Sequence, residues 1–412
     1  VLISTIGTGD TIKDKGGEYK KTTYFIEGKK YPNESLTASA LIKHANIDKV
    51  FFIGTNKSMW DNLYLIFSGQ AIDESYHDKL SAAKNDNGVG IADLEKLETT
   101  MNDFLGSSGS RCLILSYAKN DSQEIWQNFY TLLQIKDHLQ PGDEIYLDIT
   151  HGFRYMPMLS IFLMQFLMAR EESKLTIKAA YYGMFGEAVS EVLDFKIFFD
   201  LLDWAQAIKE FKKYSNATSL IEAMHNSNVD TSVSKLFEQL NRNLQLANLA
   251  SLWQFFKSAH KKIEHIASSD NKMLSLLSED LQKLVSRLNK ETLSLFQYEI
   301  ALWFFENKQY ALSYLALHEA VVTKACELKY PNKDSEDEAL RRIVKNKHID
   351  SPYSEMFLEK KESKKPNYDS ISSIRNSIAH QLNDRKDKAY QDIERLDFYL
   401  KKFYPYFYSN CD

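Results

Sequence analysis

The 412-residue chain changes its hydrophobic periodicity at about Val189, and that change limits the folds open to it. Before it, short apolar runs of strand length alternate with helical patterns. After it, apolar residues recur only at three- and four-residue spacing. Buried strands alternating with helices require a mainly parallel sheet covered on both faces, so the first half reads as a doubly wound, Rossmann-like α/β domain and the second as all-α. Buried strands are expected at Val1–Ile6, Lys49–Ile53, Arg111–Tyr117 and Glu144–Ile149, with Leu175–Tyr182 as the last, and a strand or hairpin at Lys20–Ile26. Helices fit Ser35–Ala45, Met59–Phe67, Gln123–Leu139 and Phe153–Ala169, and the polar stretch Gly69–Gly109 reads as an insertion or lid. The expected division is 1–188 for the α/β domain, 189–290 for a helical connector and 291–412 for a helical core.

A hydrophobic fraction of 44% and a charged fraction of 26% fit a folded, water-soluble chain. A net charge of -5 argues against broad coating of nucleic acid, so any such contact is expected at a local site, with no DNA partner. Three scattered cysteines, Cys112, Cys326 and Cys411, exclude a disulfide framework and fit a reducing cytoplasm. The apolar run Phe153–Ala169 is shorter than the roughly 20 residues that span a bilayer and contains Pro157, so no membrane association is expected. No basic region precedes the first apolar run, and no signal peptide is expected.

Three turns follow buried strands. The first is Gly7-Thr8-Gly9-Asp10, the second Gly54-Thr55-Asn56-Lys57-Ser58, and the third Asp148-Ile149-Thr150-His151-Gly152-Phe153-Arg154. Turns at the carboxyl ends of parallel strands share one sheet edge, where ligands of open α/β folds sit. Glycines, hydroxyls and the cations Lys57 and Arg154 suit a phosphate-bearing ligand. Each Gly-Thr also reads as an ordinary turn, and Asp148 and Thr150 also read as helix caps. A dinucleotide fingerprint would need a third glycine where Ile12 stands, so a nicotinamide oxidoreductase is disfavoured.

Arg375-Asn376 and His380 lie in a helical pattern near the end of the chain. A permanent cation and a group able to exchange a proton near neutral pH suit phosphodiester chemistry. Residues five apart diverge by about 140° around a helix, so two such helices meeting at a two-fold axis surround a phosphate better than one. The lysine-rich stretch Glu359–Lys365 reads as a solvated surface able to gather RNA phosphates.

With these turns followed by Arg375-Asn376 and His380, nearly the whole chain resembles the CRISPR-associated CARF-HEPN ribonucleases, the Csx/Csm-type accessory effectors of type III systems. That resemblance implies a homodimer, open to higher assembly, whose CARF domains bind cyclic tetra- or hexaadenylate as an allosteric activator. It implies further that paired HEPN domains cut single-stranded RNA without a metal, leaving a 2',3'-cyclic phosphate. Arg375 would stabilise the phosphorane, His380 move protons as general base or acid, and Asn376 orient the histidine or the phosphate; Gly7, Thr8, Gly9, Asp10, Gly54, Thr55, Asn56, Lys57, Ser58, Thr150, His151, Gly152 and Arg154 would hold the activator. Some relatives also cut their activator, for which Thr8, Thr55 or His151 are candidates. The alternatives are a noncatalytic cyclic-nucleotide sensor and a HEPN toxin-type RNase outside CRISPR.

Overall fold

The computed structural model describes residues 1–10, 19–116, 121–169, 174–184, 186, 189–267, 271–346, 368–380 and 388–408; the lysine-rich stretch 359–365 lies outside them. Its contacts divide into two units, Val1–Phe198 and Phe199–Asp412.

The first unit is built on an eight-stranded sheet among the described residues. Its strands are β1 (Leu2–Thr5), β2 (Thr22–Ile26), β3 (Lys29–Glu34), β4 (Val50–Gly54), β5 (Arg111–Ile114), β6 (Glu144–Asp148), β7 (Thr176–Gly183) and β8 (Val189–Asp194). They run in the order β3-β2-β8-β7-β6-β1-β4-β5. Pairings are parallel except β2 with β3 and β7 with β8. The sheet is thus mainly parallel, as the sequence predicts, but strands do not end at Tyr182. β8 begins at Val189, just past the expected boundary, and it inserts between β7 and β2.

Side-chain alternation assigns the two faces. Leu2, Val50 and Phe52 join one buried cluster with residues of α1 (Thr37–Ala45), α2 (Trp60–Ser68) and α4 (Glu95–Leu105). Their sequence neighbours Ile3 and Phe51, in register with Leu147 on β6, face the opposite way, the side carrying α5 (Ser122–Leu133) and α6 (Tyr155–Met168). Burying a ring such as Phe51 or Phe52, each fully shielded, contributes roughly 1.5–3 kcal/mol. Residues 69–109 are not a lid: α3 (Glu74–Asn85) and α4 pack on α2 through buried Tyr76, Leu80, Leu97 and Met101. The Tyr76 hydroxyl, donating to the Asp93 carbonyl at 2.6 Å and accepting from the Leu97 amide at 3.1 Å, closes that segment.

The second unit is helical: α7 (Ile197–Tyr214), α8 (Thr218–Asn226), α9 (Thr231–Gln245), α10 (Leu249–Ala267), α11 (Lys272–Leu288), α12 (Leu293–Glu306), α13 (Tyr310–Lys329), α14 (Glu338–Asn346), α15 (Tyr368–Ala379) and α16 (Ala389–Tyr408). Side-chain caps start several of them, Asp230 for α9, Asn271 for α11 and Thr292 for α12. The short α8 is absent from the sequence-based expectation. A single apolar cluster runs from Trp204 to Phe407. α12 and α13 form a tight hairpin, with α15 against α13 and α16 against both. Among the described residues no helix is long and apolar enough to cross a membrane.

Ser58 latches the ends of β1 and β4. Its buried hydroxyl accepts from the Thr55 amide at 2.9 Å and donates to the Ile6 carbonyl at 3.1 Å. Ser58→Ala strands two buried backbone groups and is expected to cost about 1–3 kcal/mol in urea unfolding. A loss below about 0.5 kcal/mol, the range of inert surface substitutions, would contradict the latch.

Candidate functional site

Apart from the β2-β3 hairpin at the far edge, the chain adds β4 and β5 on one side of β1, while the next unit, β6 to β7, lies on the other. The carboxyl ends of adjacent β1 and β6 are therefore the topological switch point, where open α/β sheets form their ligand crevice. A cleft of about 380 Å³ lies there. Gly7, Thr8, Gly9 and Asp10 from the first turn and Thr150, His151 and Gly152 from the third line it. The ends of β7 and β8 add Gly183 and Ser190.

The third turn is fixed by buried polar contacts. Asp148 accepts from the Ser4 hydroxyl at 2.8 Å and from the Thr150 amide at 3.0 Å. Thr150 Oγ1 accepts from the Gly183 amide at 2.8 Å, tying the turn to β7, and Thr5 Oγ1 donates to the His151 carbonyl. Asp148 and Thr150 are thus turn braces and not helix caps; α6 begins after Arg154 with no side-chain cap. Gly152 has φ +93°, and a Cβ there would stand 3.3 Å from the Thr5 Cβ. The half-buried His151 ring lies 3.2 Å from Thr37 Oγ1. Its burial lowers the imidazole pKa, against the raising influence of the Asp148 and Asp10 carboxylates.

The second turn shares the sheet edge but does not line the cleft. Thr55 and Ser58 are buried in the latch, and the Trp60 indole donates to the Thr55 carbonyl at 2.8 Å. Asn56 fills the space above Gly88, Gly54 packs against Ser58, and Lys57 donates to the Asp86 carbonyl at 2.5 Å. Arg154 is exposed at the start of α6, outside the lining. What the second turn supplies to the cleft is the next residue, Met59, whose amide donates to the Gly7 carbonyl at 2.9 Å. Lys20, Tyr24, Ser35 and Tyr182 also line it and were missed, since they come together only through the β2-β8-β7-β6 order. Lys84 was missed as well; its ammonium donates to the Thr8 carbonyl at 2.9 Å and to the Tyr19 hydroxyl, bracing the first turn from α3. Tyr19 in turn donates to Asp61 at 2.7 Å.

In the second unit, α15 carries Arg375 and Asn376, and His380 follows its last turn. Ile371, Ile374 and Ser377 are buried, whereas Asn376, Ala379 and His380 are exposed and Arg375 is half-buried. At 100° per residue these four occupy an arc of about 140° opposite the buried side, with Arg375 and His380 at its margins. Arg375 Nη1 donates to Asn376 Oδ1 at 3.1 Å, and the His380 amide donates to the Asn376 carbonyl at 3.0 Å. Tyr368 anchors the start of α15, its hydroxyl 2.9 Å from His318 Nε2 on α13.

His151 gives the first unit a pH dependence of known sign. Because burial lowers its folded pKa, the unfolded chain takes up a proton near pH ~6.5 that the folded ring refuses, and stability falls as pH drops below that value. Thermal unfolding at pH 7.5 and 5.5 is expected to show a smaller acid loss in His151→Gln than in the wild type. Equal losses would contradict the assignment.

Residues 1–185 match the CARF domain of the CRISPR system endoribonuclease Csx1, and residues 200–295 match the second domain of CRISPR-associated protein MJ1674. CRISPR-associated protein MJ1674 of Methanocaldococcus jannaschii is 31% identical over 402 residues, 92% of this chain, and the chain spans 62% of that relative's length. Among solved structures, Enterococcus italicus Csm6 bound to cyclic hexa-2'-fluoro-hexa-dAMP aligns over 99% of this chain and 94% of its own at 13% identity, with a TM-score of 0.37, a likeness that carries no argument. The N-terminal sheet unit is therefore a CARF domain, on a chain similar along nearly its whole length to a CRISPR-associated protein.

Proposed function

We propose that the chain is a cyclic-oligoadenylate-activated, metal-independent endoribonuclease of type III CRISPR defence, acting on single-stranded RNA as a homodimer. The observation that carries this reading is the switch-point cleft of a CARF domain, walled by two glycine turns whose backbones can approach phosphates closely. Gly7, Thr8, Gly9, Asp10, Thr150, His151 and Gly152 contact the activator. Gly54 to Ser58 hold the first turn in place, Lys57 by its bond to the Asp86 carbonyl, and exposed Arg154 is a cation beyond the rim.

Cleavage follows from what α15 presents. The RNA 2'-hydroxyl attacks the adjacent phosphorus, its proton going to His380 of one copy, while the P–O5' bond breaks and the 5'-oxygen takes a proton from His380 of the other copy, leaving a 2',3'-cyclic phosphate and a 5'-hydroxyl. Arg375 neutralises charge on the phosphorane and Asn376 orients the histidine or the phosphate. The nucleophile belongs to the substrate, so the step needs no metal-activated water. On this reading the sheet unit, Val1–Phe198, binds the activator, and the last part of the helical unit, 291–412, cuts.

A homodimer is supported by an apolar face on α5 and α6. Trp126 is 61% exposed and Phe162 59%, and Ile125, Tyr130, Met158 and Phe166 are exposed beside them. Soluble monomers seldom leave such a group uncovered. α6 starts just past the Thr150–Gly152 turn, so a second copy seated on this face would bring two clefts near one axis, as a ring-shaped ligand requires.

Wild-type chain is expected to cut single-stranded RNA faster with cyclic tetra- or hexaadenylate, to do so in EDTA, and to lose about 10²–10⁴-fold in rate as His380→Ala. Undiminished cleavage by Arg375→Ala would take this arginine out of the chemistry, and a wild type that cuts nothing would leave only a sensor. Phe162→Glu is expected to convert the dimer to monomer by light scattering; a wild type that is monomeric with and without activator would sink the dimer.

A further inference from the structure

The helical unit holds a larger trough, about 760 Å³, between α7, α11 and α12. Its floor is apolar, from Ile208, Phe211, Leu284 and Trp303. Its rims carry five cations and two carboxylates, Asp280 and Glu306. Lys209, Lys212 and Lys213 stand at three- and four-residue spacing on α7, facing Lys283 and Arg287 one turn apart on α11.

These cations are not equivalent. Arg287 is held by Glu299 at 3.0 Å and by two parallel bonds to Glu306 at 2.6 and 2.8 Å, so its charge is met within the protein. Lys212 pairs with Asp280 at 3.0 Å. Lys209, Lys213 and Lys283 are exposed and have no ion-pair partner among the described residues; Lys213 lies 5.0 Å over the Tyr214 ring. In a chain of net charge -5, three uncompensated cations around one apolar depression form a local electropositive site.

The combination selects the ligand. An acidic peptide would meet the lysines and leave the floor unused, and a duplex offers phosphates but keeps its bases stacked inside. A single strand offers both, phosphates for the rims and unstacked base faces for the floor. We propose that this trough binds single-stranded RNA, as a substrate-holding site built from α7, α11 and α12 and separate from the α15 residues. The inference rests on the ribonuclease reading and deepens it by giving the substrate a second foothold.

The test uses the full chain and a fluorescent 2'-O-methyl oligouridylate, which lacks the attacking hydroxyl and so reports binding alone. The variant Lys209→Gln/Lys213→Gln/Lys283→Gln is expected to bind about ten-fold more weakly or worse, with a salt dependence shallower by about two to three in logarithmic slope. Binding of cyclic oligoadenylate should stay unchanged. A 4-thiouridine version of the oligonucleotide is expected to crosslink to peptides of α7, α11 or α12 in the wild type. Unchanged affinity in the triple variant, crosslinks found only elsewhere, or tighter binding of polyglutamate than of RNA would each overturn the proposal. If the wild type cuts RNA while the triple variant binds as well as wild type, the trough fails and the ribonuclease stands. If the variant loses binding but the wild type cuts nothing, the trough stands and the ribonuclease fails.

Discussion

The turns after β1 and β6 run so close that a Cβ on Gly7 would stand 3.3 Å from the Gly152 amide nitrogen. The rest of the CARF cleft depends on this approach. Parallel pairing of Ser4 with Asp148 brings the two strand ends side by side, and the buried Ser4 to Asp148 hydrogen bond locks them there. A side chain at either glycine would force the turns apart or fill the space between them. Crossing backbones at the switch point therefore make the cleft, and side chains only finish its walls.

Much of this was legible in the sequence because the central strands are continuous apolar runs. Val50–Gly54 is buried at every position, as a strand covered on both faces must be. β3 gave no such signal; Lys29–Glu34 is an exposed edge strand carrying two lysines and Pro32, the composition that protects an open edge. β8 escaped because its short alternation, with Glu191 exposed between buried Ser190 and Val192, runs into the helical pattern of α7. Its partners β2 and β7 are set by sheet order, which no local pattern records.

The cations show the same boundary between local and non-local information. Lys57 stands beside a glycine turn and reads as a phosphate contact, yet its ammonium serves the Asp86 carbonyl. Lys84 reads as part of a polar insertion, yet it reaches the first turn. Burial lowers its pKa, against the raising influence of the Asp61 carboxylate 4.0 Å away, which Tyr19 also engages. A lysine committed in this way shapes the loop that a ligand meets without itself meeting the ligand.

On α15 the sequence fixes which residues share a face, but not how that face is held. The buried His318 links two constraints. Its Nε2 meets the Tyr368 hydroxyl, and its Nδ1 lies 3.0 Å from Glu319, which also pairs with Arg341 of α14. Desolvation would raise the Glu319 pKa, but the His318 hydrogen bond and the Arg341 charge outweigh it and hold it down at about 2. An ionised carboxylate thus stays in place between two helices, and through His318 it orients the first turn of α15. That anchoring leaves the opposite side of the helix open, where Asn376 and the small Ala379 separate Arg375 from His380. With the two groups at the margins of one arc, a phosphate seated on this helix meets one of them well and the other poorly. In the proposed dimer, a second α15 facing the first across a two-fold axis would set the arginine of each copy beside the histidine of the other. On the proposed reading, the spacing that gives one helix half a site is the spacing that a pair of helices would need.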